Sequence, residues 1–317
     1  MDFLVFGAGA IGSVFGGLLK KAGHAVWLHG REDSMQAIRQ RGLEIGGIWG
    51  EHHVDDLGLS WDLDAIPRRS FENVLLTVKA FDTAAAANQL KPFIGEETLV
   101  YSLQNGLGNW ETIAGVVGWE RTVGGRVIFG ARRPGPGAVE VTVYAEEVML
   151  GALSPGTDRG RIEAVARALS ESGIPTLATE EIAKYLWAKV LYNAALNPLS
   201  VLLNASYGQL AASEHARGIM EQVVREIFEV ARAEGVPLFW DRPEGYLEKF
   251  YGQEIPSTAG HRSSMLQAIE EGRRVDVDSL NGHIAQLAER HGVEAPTNRL
   301  LTALVKARSE GSFGSSL

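Results

Sequence analysis

The chain opens on Asp2-Phe3-Leu4-Val5-Phe6-Gly7-Ala8-Gly9-Ala10-Ile11-Gly12, an apolar run feeding directly into a G-x-G-x-x-G turn. That arrangement is how a βαβ dinucleotide-binding half-domain begins. Gly7 permits the tight reversal, Gly9 lets the backbone approach a pyrophosphate, and Gly12 lets the following helix lie close against the strand. The free N–H groups and dipole at the helix start then suit the phosphates. Residues 11–22 can form that helix, Gly23 can end it, and Ala25-Val26-Trp27-Leu28-His29 reads as the second strand. The expectation is a nicotinamide or flavin cofactor held by Gly7, Ala8, Gly9, Ala10, Ile11 and Gly12.

The residues just past the second strand select the cofactor. NAD enzymes usually place Asp or Glu there for the ribose 2′-hydroxyl, whereas this chain offers Gly30-Arg31, a planar cation suited to a 2′-phosphate. NADPH is therefore favoured. Glu32, one residue later, would favour NAD if the register differed.

At 317 residues the chain is long enough for two domains and a sizeable core, and its 45% hydrophobic and 22% charged residues are those of an ordinary globular protein. A net charge of -9, with no basic block, argues against a nucleic-acid partner. No signal-peptide pattern opens the sequence and no apolar run has membrane-spanning length, so no membrane partner and a cytoplasmic location are expected. The absence of cysteine excludes disulfides and thiolate chemistry. The histidines lack ligand spacing, His52-His53 reads as a solvated pair in a Gly-rich connection, and no metal is expected.

Strand and helix signals alternate after the first unit. Residues 73–78 and 99–103 are buried-type strands that deliver Lys79 and Gln104-Asn105-Gly106 just beyond their C-terminal ends, where open α/β sheets bind ligands. Residues 122–131, 139–144 and 148–153 read as successive strands joined by short connections, with a turn at Pro134-Gly135-Pro136-Gly137, and suggest antiparallel additions. A helix at 158–172 and a strand at 175–178 complete the pattern. Beyond residue 180 the signals are helical: 180–196, 211–234, 243–250, 259–271, 279–291 and 298–310. The fold class is thus an α/β Rossmann-type N-terminal domain, residues 1–180, followed by an all-α C-terminal domain, residues 181–317. Residues 311–317 are expected to fray, Trp187 and Trp240 to be core, and Arg273-Arg274 to lie on the surface. The long helix at 211–234 offers a face for a homodimer.

Lys189, Asn193 and Asn197 recur every four positions in a largely apolar helical segment. They line one face. Amides and an ammonium on such a helix need partners, and Asn is a poor helix former for a merely solvated stripe, so the face points to a cleft.

Taken together, several stretches carry a resemblance that runs nearly end to end. They are the opening glycine turn, Arg31, Val78-Lys79-Ala80, Gln104-Asn105-Gly106, the helix with Lys189, Asn193 and Asn197-Pro198, Ser263-Ser264-Met265-Leu266-Gln267, and Asp278-Ser279-Leu280-Asn281-Gly282. The chain resembles the ketopantoate reductase family, the 2-dehydropantoate 2-reductases. The resemblance implies an NADP-dependent enzyme whose helical domain closes over NADPH to reduce a small 2-keto acid. Lys189 matches the catalytic lysine that hydrogen-bonds the keto oxygen and supplies the proton. Asn193, Asn197 and Ser264 match substrate-binding positions, and Asn105 one where cofactor and substrate meet. Lys79 and Arg31 match phosphate-side contacts, and Ala131 a backbone contact to the cofactor.

Two positions depart from the family pattern. Asp276 stands where a glutamate is usual, a catalytic and nicotinamide-side position, and has one methylene less reach; Asp278 nearby can simply cap the helix expected at Ser279. Tyr207 replaces a common Asn before Gly208 and changes the pocket's shape. The implied function is reduction of 2-dehydropantoate to pantoate in coenzyme A synthesis. The alternatives are a different 2-keto acid and a non-catalytic NADP-binding redox sensor.

Overall fold

A computed structural model of the chain describes residues 1–66 and 70–311, and the expected frayed tail beyond Gly311 lies outside them. The described residues fall into two compact units, one within Met1–Asn105 and Asn109–Ile182, the other of Gly106–Gly108 with the described residues from Ala183 onward.

The first unit contains β1 (Asp2–Phe6), α1 (Ala10–Lys21), β2 (Ala25–His29), α2 (Glu32–Arg41), β3 (Leu43–Gly47), β4 (His52–Val54), β5 (Gly58–Ser60), β6 (Asn73–Leu76), α3 (Thr83–Leu90), β7 (Leu99–Ser102), α4 (Asn109–Val117), β8 (Thr122–Arg126), β9 (Phe129–Gly135), β10 (Ala138–Tyr144), β11 (Val148–Ala152), α5 (Arg159–Glu171) and β12 (Thr176–Ala178). An eight-stranded sheet runs in the order β12-β11-β8-β7-β6-β1-β2-β5. Its six strands from β8 to β5 are mutually parallel, while β11 runs antiparallel to β8. The order reverses at β1, between β2 and β6, which is the switch point of a doubly wound sheet. Alternation along β1 serves both faces. Phe3 and Val5 enter the core cluster containing Phe15 and Leu19, and Leu4 and Phe6 enter the one containing Leu90 and Ile113.

α1 ends where glycine is needed. Gly23, at φ +91°, donates to Lys20 O at 2.9 Å and His24 donates to Leu19 O at 3.1 Å, the paired bonds of a left-handed C-terminal cap.

Several sequence expectations change here. The stretch read as one strand over 122–131 breaks at Val127-Ile128, because its halves serve different sheets: β8 joins β7, and β9 enters a four-stranded sheet ordered β4-β3-β10-β9. β10 pairs antiparallel with β9 but parallel with β3, so the additions are not uniformly antiparallel. Strands β3 to β5 were hidden by their shortness and their glycines. His52 and His53 therefore lie in a strand rather than a connection. His53 Nδ1 is 2.6 Å from Glu44 Oε1, and its pKa is raised by that hydrogen bond and by Asp55, so the side chain is exposed yet ion-paired.

The second unit is helical: α6 (Ile182–Leu203), α7 (Tyr207–Ala212), α8 (Glu214–Glu234), α9 (Pro243–Lys249), a π turn (Phe250–Glu254) leading into the short α10 (Ile255–Ser257), α11 (Ser264–Glu270), α12 (Asn281–His291) and α13 (Pro296–Ser309). α7 and α8 divide what reads as one helix, because Ser213 Oγ accepts from Ala216 N and starts α8 anew. The apolar stripe of α8, including Met220, Val223, Ile227 and Phe228, is buried within the unit. Residues 259–261 are not helical, since the carbonyls of Ala259 and His261 accept from Gly208 N and Tyr207 N. Among the described residues no helix is long and apolar enough to cross a membrane.

α6 continues through Pro198 to Leu203, seven residues beyond the expected end. Proline lacks the N–H that would satisfy Ala194 O one turn earlier. Asn281 Nδ2 supplies the missing donor at 3.0 Å. That amide is itself held by Asn298 Oδ1 at 2.9 Å, and Asn298 Nδ2 donates to Glu226 Oε2 at 2.8 Å. Glu226 also accepts from Thr297 N and Asn298 N, so a buried carboxylate caps the start of α13.

Candidate active site

In the first unit the candidate cofactor residues stand at four adjacent strand ends. Register aligns Phe6 with His29 on one side and with Leu76 on the other, and Leu76 with Ser102. The residues just past these ends, Gly7, Arg31, Lys79 and Asn105, therefore share one edge of the sheet, the ligand-binding edge of such folds.

The turn after β1 is fixed by its own backbone. Gly7 N and Ala8 N both donate to His29 O at 2.9 Å, Gly9 N donates to Gly7 O, and Ser13 N donates to Gly9 O at 3.0 Å. Gly7 sits at φ +106°, and a Cβ there would lie 2.6 Å from Val78 N. A Cβ on Gly12 would lie 2.5 Å from Thr77 Oγ1, whose hydroxyl donates to Gly7 O at 2.8 Å. At Gly9 the situation is opposite: the nearest protein atom to a Cβ would be 3.8 Å away. Two glycines are demanded by the protein's own packing, while the backbone at Gly9 is left open. Ala10, Ile11 and Gly12 form the first turn of α1.

Arg31 is exposed and precedes α2, within 4.0 Å of Asp33. Lys79 is exposed at the start of the turn Ala80–Asp82. Asn105 is exposed, and its carbonyl accepts from Asn109 Nδ2 at 2.9 Å. Gln104, one residue earlier, ties these loops together by donating to Val78 O at 3.0 Å and Thr83 Oγ1 at 2.7 Å. Ala131 lies in β9 opposite Val141, in the smaller sheet, which packs on α1 through Phe129 against Phe15. Thr77 and His29 are the supporting residues that motif reading misses; their only signal is a position directly after or at the end of a strand.

In the second unit Lys189, Asn193 and Asn197 do lie on successive turns of α6, Lys189 and Asn193 half-buried and Asn197 buried. Tyr207 OH donates to Asn197 Oδ1 at 2.8 Å inside the core. The bond orients the amide, leaving Nδ2 as the group Asn197 can offer elsewhere. Tyr192 packs edge-on against Tyr207, with its hydroxyl 2.7 Å from Thr258 Oγ1. Burial pushes the Tyr207 phenol well above its ordinary pKa, so it remains a neutral donor.

Ser264 is exposed as the first residue of α11, while Ser263 beside it is fully buried and caps that helix through Leu266 N. Ser263 N donates to Ser200 Oγ at 3.4 Å, which draws the start of α11 to α6. Asp276 is half-buried, and its carbonyl accepts from Ser279 N and Ser279 Oγ in the turn Val277–Ser279. Asp278 does not cap α12. That helix begins at Asn281, and Asp278 instead pairs with Lys306 at 2.6 Å. Among the described residues no group of three or more acidic or histidine side chains is placed to hold a metal ion.

Residues 3–155 match the family described as ketopantoate reductase PanE/ApbA, and residues 181–309 match its C-terminal counterpart. The chain belongs to the ketopantoate reductase family. It is an oxidoreductase. A 2-dehydropantoate 2-reductase of Aquifex aeolicus is 36% identical over 97% of each chain, and one of Pyrococcus horikoshii is 34% identical over 99% of this chain and 100% of its own. Among solved structures, a ketopantoate reductase from Ralstonia eutropha JMP134 is 31% identical with a TM-score of 0.87, covering 98% of this chain and 99% of its own. A D-mandelate dehydrogenase solved with NADH and anilino(oxo)acetate is 27% identical with a TM-score of 0.88, covering the same shares. Ketopantoate reductase architecture thus accounts for both units of this chain.

Proposed function

We propose that this member of the ketopantoate reductase family reduces 2-dehydropantoate to pantoate with NADPH, on the route to pantothenate and coenzyme A. Bound NADPH supplies a hydride to the keto carbon. The turn Gly7 to Gly12 holds the pyrophosphate, with the N–H groups of Ala10, Ile11 and Gly12 at the start of α1 as the donors, Lys79 on the phosphate side and Arg31 on the 2′-phosphate. Asn105, Ala131 and Asp276 complete the cofactor side of the site. Lys189 donates a hydrogen bond to the keto oxygen; as the carbon gains hydride, charge builds on that oxygen and the ammonium passes it a proton, giving the 2-hydroxy acid. Asn193, Asn197 and Ser264 orient the substrate by its carboxylate and hydroxyl. The observation that carries this reading is a lysine and two amides on one face of a largely apolar helix, one amide pre-oriented by Tyr207.

A second reading, reduction of a 2-keto acid with a different side chain, is favoured by Tyr207 and by the fold shared with D-mandelate dehydrogenase. Following NADPH absorbance at 340 nm across a panel of 2-keto acids separates the two. The first reading expects the highest kcat/KM with 2-dehydropantoate. A higher value with an aryl 2-keto acid transfers the assignment to the second.

A further inference from the structure

Among the described residues several arginines hold a carboxylate and others, such as Arg41 and Arg308, reach only carbonyl oxygens. Arg126, Arg132, Arg225, Arg232, Arg262 and Arg273 each hold a carboxylate oxygen within hydrogen-bond reach. Arg133 does not. It projects from β9 half-buried, and among the described residues its one hydrogen bond runs from Nη2 to Ser34 Oγ at 2.6 Å. Ser34 lies in the first turn of α2, and its hydroxyl donates to Asp33 Oδ1 at 3.2 Å. Arg31 stands beside the same turn, 4.0 Å from Asp33. Arg133 is near enough to Arg31 to feel its charge: burial lowers the pKa of Arg133 first, Arg31 lowers it further, and Asp33 raises it. The hairpin places Arg133 there firmly. Its turn rests on α2 through Arg41 Nη2, which donates to Pro136 O at 3.2 Å, and through Gly137, which lies against Ala37 too closely for a side chain to be added freely.

Two like charges drawn together, one half out of water, with four of five N–H donors of Arg133 uncommitted, form a site that an anion completes. We infer that Arg133 is the second arm of the 2′-phosphate site, closing on the ribose phosphate opposite Arg31 while Ser34 holds its guanidinium in plane. The inference rests on the NADPH reading above and extends it from α2 to the smaller sheet. Asp33 faces Arg31 directly and Arg133 through the Ser34 hydroxyl, and its carboxylate is exposed.

Calorimetric binding of 2′,5′-ADP and of 5′-ADP, which needs no turnover, tests it. Wild-type protein is expected to bind 2′,5′-ADP more tightly by about 100-fold, and Arg133→Ala to lose roughly tenfold or more of that preference with 5′-ADP binding unchanged. Arg133→Met keeps the half-buried stem and guards against a folding defect, and it should behave like the alanine variant. If Arg31→Ala abolishes the preference while both Arg133 variants retain it, the inference is overturned and the NADPH reading stands. If wild-type protein shows no preference at all, the NADPH reading itself has failed and takes the inference with it.

Discussion

The two units present function in contrasting ways. In the first, the candidate cofactor surface is main chain, held by bonds such as Gly7 N and Ala8 N to His29 O. In the second, the candidate catalytic face is made of side chains, and other side chains support them: Tyr207 orients Asn197, and Glu226, Asn298 and Asn281 form a chain that ends on the carbonyl left open by Pro198. A backbone site needs glycine at set spacings and tolerates varied neighbours. A side-chain site needs particular partners scattered through the sequence, brought together only by packing.

The largest expected effect lies at the centre of the second site. Lys189→Ala should lower kcat by roughly 10³-fold while leaving NADPH affinity nearly unchanged; equal loss in both would place the lysine in cofactor binding instead. Next, the glycines can be set against one another. Gly7→Ala, forced into a left-handed conformation against Val78 N, should cost about 3 kcal/mol of stability in chemical denaturation. Gly9→Ala should leave the melting midpoint near wild type and weaken NADPH binding, since its methyl meets open space in the free protein. Matching behaviour of the two variants would erase the distinction between structural and ligand-facing glycines.

A pH effect of similar size should arise in the second unit. Burial, reinforced by Arg290, holds His283 down to about 4, and its Nε2 has no hydrogen-bond partner among the described residues. An unfolded imidazole takes its proton near 6.5, so between these values the unfolded chain binds more protons and stability falls as pH is lowered through that window. The full loss amounts to about 3 kcal/mol. Denaturation at pH 7 and pH 4.5 should show it, and His283→Asn should flatten the dependence; an unchanged slope would assign the acid sensitivity elsewhere.

Smaller effects probe the supports. Asn281→Ala strips the donor from Ala194 O and should destabilise by about 2 kcal/mol, visible as a lower denaturation midpoint. Tyr207→Phe removes one buried hydrogen bond, worth about 1 kcal/mol, and frees the Asn197 amide to flip. Substrate KM should rise several-fold with kcat little changed. A fall in kcat alone would show that Tyr207 acts on the chemistry rather than on substrate orientation.

Much of the first unit was legible because strand, glycine turn and helix succeed one another without interruption. β1, α1 and β2 appear where the pattern puts them, and Gly7 and Gly12 sit where close packing excludes a side chain, as their spacing implies. The same local logic misplaced other boundaries. Strands β3 to β5 are three to five residues long and take their stability from neighbours, chiefly β10 and β2, that sequence cannot pair in advance. On α6 the four-residue repeat of Lys189, Asn193 and Asn197 was plain, yet Pro198 reads as a stop. A donor 87 positions from the carbonyl it serves lets the helix pass through it.

Sequence by itself therefore determined what depends on neighbouring residues: the glycine turn, the alternation of β1 between two cores, and the polar stripe on one helix. Tertiary structure alone decided which buried polar groups meet. Tyr207 reaches Asn197, Arg133 reaches Ser34, and Asn281 completes a proline-broken turn. The reason is energetic. A buried donor or acceptor is costly until it is paired, and the pairing that removes the cost is set by the packing of distant segments, which periodicity cannot report.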